Sequence, residues 1–152
     1  MLAQGNLADL VLRKYSGVHE IRTDKALYFY VMDMKNRFLR NARFPSKVVF
    51  DHDIRAIKRA LGTHTAISRI QGGKLRAKNE IRIAALFKQL PLEFLKMIIV
   101  HELAHLKEKE HNKAFYNLCV SMEPAYHQFE FDLRLYLTSV ERKRDQDSGP
   151  CT

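Results

Sequence analysis

The chain has 152 residues and a formal net charge of +9, and 46% of its residues are apolar while 28% are charged. This length suits one domain with its own hydrophobic core, and the composition excludes disordered, low-complexity and fibrous proteins. No apolar run approaches the ~20 residues that a membrane-spanning helix needs, so we expect no membrane partner. Two cysteines cannot form a disulfide framework, and the first residues do not predict a secretory signal. We therefore expect a reducing, cytoplasmic compartment.

The positive charge is concentrated in the middle of the chain. Residues 35–88 contain 14 lysines and arginines but only three acidic residues, an excess of +11, whereas the rest of the chain carries −2. Such an excess is typical of a solvated basic face. It also permits a nucleic-acid partner, because phosphate groups attract clustered Lys and Arg side chains.

The first half of the chain predicts two helices followed by a strand. Apolar residues recur at helical intervals over residues 7–15, and again from residue 27 onward. Asp24 is the predicted N-cap of the second helix, which we expect to continue to about Ala42. The short, β-branched segment 47–50 then predicts a strand.

The second half predicts further strands and then several helices. A helical turn is expected within residues 51–60, and the segment 65–73, which ends in a Gly pair, predicts a strand leaving a turn. Residues 79–84 alternate polar and apolar side chains, as a half-buried strand does. Pro91 suits the first turn of a helix that continues into His101. More helices are predicted over residues 112–122 and 129–140.

This order of elements indicates one α+β domain, because strands and helices occur in separate runs. We expect the domain to span residues 1–140. Residues 141–152 are polar and include Gly149-Pro150, so they predict a flexible tail.

The strongest functional motif is His101-Glu102-Leu103-Ala104-His105, which follows an apolar run in a predicted helix. Residues four apart lie on one face of a helix, so both imidazoles can bind one Zn²⁺ ion. Glu102 lies beside them and can act as general base for the water that such a metal activates. The motif therefore predicts a metal-dependent hydrolase, with His101 and His105 as ligands and Glu102 as the catalytic residue.

A catalytic zinc site needs a third protein ligand and keeps one position open. Glu108 would share the helix face of His101 and His105, but three ligands from consecutive turns are nearly collinear and fit a tetrahedron poorly. His111 fits better if the helix ends near residues 107–110 and the chain turns back. On this reasoning six candidates remain, with His111 favoured: Glu108, Glu110, His111, Glu123, His127 and Glu130.

The surroundings of the motif resemble a known family. His101-Glu-Leu-Ala-His105, five intervening residues and then His111-Asn-Lys-Ala-Phe-Tyr116 resemble the signature of YgjP-like metal-dependent hydrolases. The same spacing occurs in WLM proteases, which belong with the SprT/Spartan-like zincins. The resemblance covers roughly residues 27–116. It implies a zincin-like minimal metallopeptidase fold: a small twisted sheet packed on the HExxH helix, with flanking helices.

The resemblance also implies a role for each residue of the motif. His101, His105 and His111 would bind Zn²⁺. Glu102 would serve as general base and acid in a peptidase, and a peptide or protein substrate would lie along the edge strand at residues 79–84. Two alternatives stay open: a basic nucleic-acid-associated module acting through residues 35–88, including a protease of DNA-bound proteins, and a metal-binding scaffold without turnover.

Three side chains after the motif have two alternative roles. Tyr116, Tyr126 and His127 can donate a proton to a developing oxyanion, but such aromatic residues more often form the core or the wall of a cleft. Cys119, in an apolar helical run, predicts a buried thiol rather than a nucleophile. The resemblance implies that Phe115 packs behind the loop that carries the third ligand.

Overall fold

The computed structural model describes residues 3–15, 17, 19–53 and 79–147. These residues form five α-helices, a short 3₁₀ helix and a two-stranded sheet, which confirms the α+β class and is consistent with a minimal zincin-like domain. The elements are α1 (Ala3–Arg13), α2 (Asp24–Phe38), β1 (Lys47–Asp51), β2 (Glu80–Ala84), the 3₁₀ helix (Ala85–Gln89), α3 (Leu92–Ala104), α4 (Lys113–Met122) and α5 (Tyr126–Asp147). The helical turn predicted within residues 51–60 and the strand and turn predicted over 65–73 lie outside the described residues.

The two strands pair in parallel and present one apolar face. Val48 lies opposite Ile81 and Phe50 opposite Ile83, and all four side chains are buried. The side chain of Arg82, between the two isoleucines, is 38% exposed, so the predicted alternation holds at residues 81–83, whereas Glu80 and Ala84 are buried as well.

The start of α2 differs from the prediction by one residue. Thr23, not Asp24, is the N-cap residue, because its hydroxyl accepts a hydrogen bond from the backbone N–H of Ala26 at 3.0 Å. Asp24 is the first helical residue, and its carboxylate accepts a hydrogen bond from the backbone N–H of Phe50 at 2.8 Å. The acidic residue therefore fastens α2 to β1 instead of capping its own helix.

The end of α2 also comes earlier than predicted. The helix stops at Phe38 rather than near Ala42, because Leu39 leaves the helical conformation (φ −131°, ψ 59°) and buries its side chain. Just beyond the end, the ammonium of buried Lys35 donates a hydrogen bond to the carbonyl of Arg40 at 3.3 Å. This contact satisfies a main-chain acceptor in the turn that follows the helix.

The central element is α3, whose side chains are apolar around most of its circumference. Such a helix must be covered on several sides, and α3 packs against β2, α4 and α5. Each large side chain that is fully buried contributes about 1.5–3 kcal/mol relative to an exposed one. The completely buried members are Phe94, Leu95, Ile99, Val100, Leu103 and Ala104. This packing fixes the position of the C-terminal turn of α3.

The last helix is longer than predicted. α5 continues past Val140 to Asp147, because residues 141–147 contain neither Gly nor Pro. The first part of the predicted tail is therefore helical, whereas the domain boundary at residue 140 stays a prediction. Within the described residues, no helix has both the length and the hydrophobicity needed to cross a bilayer.

A buried carboxylate links the residues that directly follow α1 with α5. The side chain of Asp132 is 2% exposed and accepts hydrogen bonds from the ammonium of Lys14 at 2.9 Å, from the hydroxyl of Tyr15 and from the amide of Gln128 at 3.2 Å. Burial alone would raise the pKa of Asp132, but the three donors outweigh it and hold this pKa below its usual range. The group is therefore bound as an anion.

Acid should weaken this contact. The pKa of such a carboxyl group is lower in the folded chain than in the unfolded chain, where it is about 3.9. Its contribution to stability is complete above the unfolded pKa and is lost as the pH falls through the pKa of the folded chain. We expect Asp132→Asn to cost about 1–3 kcal/mol of unfolding free energy at pH 6 in urea titrations, and clearly less at pH 3. Asp33→Asn, which removes an exposed ion pair with Arg37, is the control and should cost under about 1 kcal/mol. An Asp132→Asn effect of equal size at both pH values would contradict the assignment.

Candidate metal centre

The three predicted histidine ligands meet at the C-terminal end of α3. His101 lies in the last turn of α3, His105 is its C-cap residue, and His111 lies in the loop before α4. One ring nitrogen of each lies within 4.8 Å of the other two, and all three side chains are partly buried. In the described part of the chain, this is the only group of three or more His, Cys, Asp or Glu side chains so arranged.

An early helix end brings His111 back to the other two histidines. α3 stops at Ala104, earlier than predicted, and the backbone N–H of Glu108 donates to the carbonyl of Ala104 at 2.9 Å in the turn that follows. Asn112 then caps α4, as predicted, by accepting a hydrogen bond from the backbone N–H of Phe115 at 2.9 Å. The chain therefore reverses direction within a short loop, and His111 lies in this loop.

The outer nitrogens of two imidazoles are held by hydrogen bonds. Nδ1 of His105 lies 2.9 Å from the carbonyl oxygen of Glu108, and because a carbonyl only accepts, this nitrogen carries the proton. Nδ1 of His101 lies 2.9 Å from the hydroxyl of Tyr126, the first residue of α5. Nε2 of His105 lies 3.0 Å from Nε2 of His111. Histidine ligands of metals are oriented by such outer partners, which leave the inner nitrogen for the ion.

Phe115 packs against all three imidazoles. Its ring is fully buried, and its centroid lies 4.9 Å from that of His101, 4.5 Å from that of His105 and 4.9 Å from that of His111. This is the position that the family resemblance implied. The apolar wall limits the rotamers that the histidines can adopt and keeps water from one side of the centre.

The surroundings favour neutral imidazoles. Burial lowers the pKa of His101 well below its ordinary value, and the neighbouring His105 and His111 lower it further. Burial and His105 also lower the pKa of His111, while the carboxylate of Glu102 acts in the opposite direction. A neutral imidazole offers the lone pair that a metal binds, and the partial negative charge at the C-terminus of α3 favours a cation. Three such donors fit a divalent transition-metal ion such as Zn²⁺.

Glu102 lies beside this centre without belonging to the histidine group. It is part of the same helical turn as His101, and its side chain is partly buried. Its negative charge favours the protonated form of His111 and so opposes the lowering of the His111 pKa by burial. The position of Glu102 next to His101 in the last turn of α3 is compatible with a general base, and its catalytic role stays a prediction.

The five other candidates for the third ligand lie outside the histidine group. Glu108 contributes its main-chain carbonyl to His105. The carboxylate of Glu123 contacts the ammonium of Lys96 at 2.7 Å and the backbone N–H of Ala125 at 2.8 Å. The complete set is Glu108, Glu110, Glu123, His127 and Glu130. Geometry therefore favours His111, as the loop argument predicted.

Sequence reasoning missed the contact between Tyr126 and His101. Tyr126 is fully buried, and burial raises its pKa. Its side chain therefore remains a neutral phenol, whose hydroxyl can form a hydrogen bond with Nδ1 of His101. Its hydroxyl also interacts with the thiol of Cys119. Burial raises the pKa of Cys119 to about 12, which confirms the prediction of an unreactive buried thiol. No local pattern links Tyr126 to His101, because only the packing of α5 on α3 brings them together.

Comparison with known proteins agrees with this geometry. Residues 49–136, more than half of the chain, match the sequence profile of the YgjP-like metallopeptidase domain. The chain belongs to the YgjP-like family. The matched region includes α3, all three histidines and the start of α5, and it confirms the predicted YgjP-like resemblance. The resemblance to WLM proteases and SprT-like zincins stays a prediction.

This member of the YgjP-like family also has a similar curated relative. The UTP pyrophosphatase of Escherichia coli strain K12 is 58% identical over 140 residues, which cover 92% of this chain and 84% of that protein. No solved structure gives a significant match. The family and the relative together indicate that the YgjP-like chain is an enzyme of the hydrolase class.

Tyr126→Phe tests the outer partner of His101. The substitution removes one hydroxyl, so we expect the affinity for Zn²⁺ to fall about 10- to 100-fold, the usual effect of losing such a partner. Competition with a chromophoric chelator measures this affinity. Tyr136→Phe, which removes a tyrosine hydroxyl further along α5, is the matched control and should leave it unchanged. Equal affinities in the two variants would show that the contact with His101 does not support metal binding.

Proposed function

We propose that this YgjP-like protein is a zinc-dependent nucleotide hydrolase that converts UTP and water to UMP and pyrophosphate. The observation that carries the proposal is the 58% identity to the UTP pyrophosphatase of Escherichia coli, which extends over 92% of the chain. A net charge of +9 agrees with a polyanionic substrate, because a positive protein attracts phosphates over long range. A nucleotide substrate also agrees with the predicted cytoplasmic compartment.

The histidine centre suits this reaction. Bound to His101, His105 and His111, a divalent ion would supply Lewis-acid activation and neutralise charge on phosphate oxygens. Glu102, which follows His101 in the last turn of α3, takes the proton from the attacking water. The water oxygen bonds to the α-phosphorus while the bond from this phosphorus to the bridging oxygen breaks, and the electron pair leaves with pyrophosphate.

A peptidase is the second candidate. The family description as a metallopeptidase domain favours it, and so does the edge of β2. β2 pairs with β1 along one edge, and no strand among the described residues pairs with the other. A peptide would add there through main-chain hydrogen bonds, and Glu102 would take the proton of the water that attacks its carbonyl carbon.

Nucleic-acid binding remains a separate prediction. Seven of the 14 basic residues in segment 35–88 fall within residues 54–78, outside the described residues. In the described part, Lys35 is buried, and Arg82 contacts the carboxylate of Glu80 at 2.9 Å. Lys35 is therefore not placed to contact phosphates. Arg82 would have to give up its contact with Glu80 in order to bind a phosphate group.

Glu102→Gln tests the proposal in the zinc-loaded protein. We expect wild type to release pyrophosphate from UTP, and we expect the variant to retain zinc while kcat falls about 10²- to 10⁴-fold. Glu20→Gln, which changes an exposed glutamate far from the centre in sequence, is the control and should keep full activity. A fluorogenic peptide library is assayed in parallel.

Each outcome separates the candidates. Peptide cleavage that depends on Glu102, with no turnover of UTP, would overturn the nucleotide proposal and support the peptidase. Hydrolysis of UTP that persists in Glu102→Gln would remove this residue from the mechanism. Zinc binding with no turnover of either substrate would support the scaffold alternative.

A further inference from the structure

A polar stripe runs along α5 away from the histidine centre. His127, Glu130 and Arg134 recur at intervals of three and four residues, which places them on one face of the helix. The stripe begins next to Tyr126, whose hydroxyl contacts His101. The proposed chemistry at the centre uses none of these three side chains.

Tyr116 connects the centre to this stripe. Its ring centroid lies 6.3 Å from that of His111 and 5.6 Å from that of His127. His127 is 61% exposed and lies 3.9 Å from the carboxylate of Glu130. A continuous row of side chains therefore leads from the third histidine to Glu130, the acidic member of the stripe.

Glu130 directs Arg134 toward the centre. The guanidinium of Arg134 lies 3.4 Å from the carboxylate of Glu130, one turn nearer the N-terminus of α5, so the side chain reaches back toward Tyr126. Tyr126, Glu130 and Arg134 follow one another at intervals of four residues and so share one face of α5, and the hydroxyl of Tyr126 lies 2.9 Å from Nδ1 of His101. The side chain of Arg134 remains 43% exposed, so a ligand can approach it.

We infer that Arg134 binds the β- and γ-phosphates of a nucleoside triphosphate, the part that leaves as pyrophosphate, while the α-phosphate lies at the histidine centre. This inference rests on the proposed function. A guanidinium suits the task because its planar donors form charge-assisted, bidentate hydrogen bonds with phosphate. Arg134 would thus bind the pyrophosphate part of the substrate, and the contact with Glu130 holds its guanidinium in the free enzyme.

Arg134→Gln tests the assignment in the full-length, zinc-loaded protein. We expect KM for UTP to rise about 10- to 100-fold, as expected when charge-assisted hydrogen bonds to phosphate are lost. Arg134→Lys keeps the charge without the bidentate geometry, so its KM should lie between those of wild type and Arg134→Gln. Arg142→Gln, the same substitution at an exposed position further along α5, is the control and should keep the wild-type KM.

A direct binding measurement separates this inference from the proposed function. Calorimetric titration of the zinc-loaded proteins with inorganic pyrophosphate should show binding to wild type and to Arg142→Gln, and binding about 10- to 100-fold weaker to Arg134→Gln. If wild type hydrolyses UTP and all variants share its KM, the Arg134 assignment is wrong and the proposed function stands. If UTP is not hydrolysed but pyrophosphate binding depends on Arg134, the phosphate site stands and the proposed function is wrong. Equal pyrophosphate affinity in wild type and Arg134→Gln would overturn the assignment whatever the activity.

Discussion

The burial of α3 is the constraint on which the rest of this structure depends. Eight of its 13 residues are buried, so the helix cannot rotate or slide without exposing apolar surface to water. β2, α4 and α5 supply the apolar surface that covers it. His101 and His105 interrupt this apolar sequence near the C-terminus of α3, where both side chains are only partly buried although Leu103 and Ala104 between them are fully buried. The histidine centre therefore lies at the boundary between core and solvent.

The histidine centre is assembled from segments that the core holds in place. His101 belongs to the buried helix, His105 ends it, and His111 returns on the loop that leads into α4. The partners of their outer nitrogens come from the turn after α3 and from α5. Because each ring is oriented by packing or by a hydrogen bond before any ion arrives, little conformational entropy remains to be lost on metal binding.

Local spacing allowed the sequence to predict part of this site. The four-residue interval between His101 and His105 is a property of one helix, and the strands at residues 47–51 and 80–84 follow from short-range patterns. The choice of His111 required one further assumption, that the chain reverses soon after His105. The structure supplies this reversal through the bond from Glu108 to Ala104 and through the Asn112 cap.

Other features depend on distant contacts and could not be read from the sequence. The hydroxyl of Tyr126 reaches His101 across 25 residues, and Asp132 binds Lys14 across 118 residues. The parallel pairing of β1 and β2 likewise joins segments that share no local signal. The start of α2 also involves a distant contact, because the carboxylate of Asp24 accepts a hydrogen bond from the backbone N–H of Phe50. Thr23, one residue earlier, caps the helix.

The most direct test of this account is a crystal structure of the zinc-loaded protein. We expect this crystal structure to show one ion bound by Nε2 of His101, His105 and His111 at about 2.0–2.1 Å. The hydroxyl of Tyr126 should keep its hydrogen bond to Nδ1 of His101. An ion bound through Nδ1 of His101, or by a carboxylate in place of His111, would contradict this account.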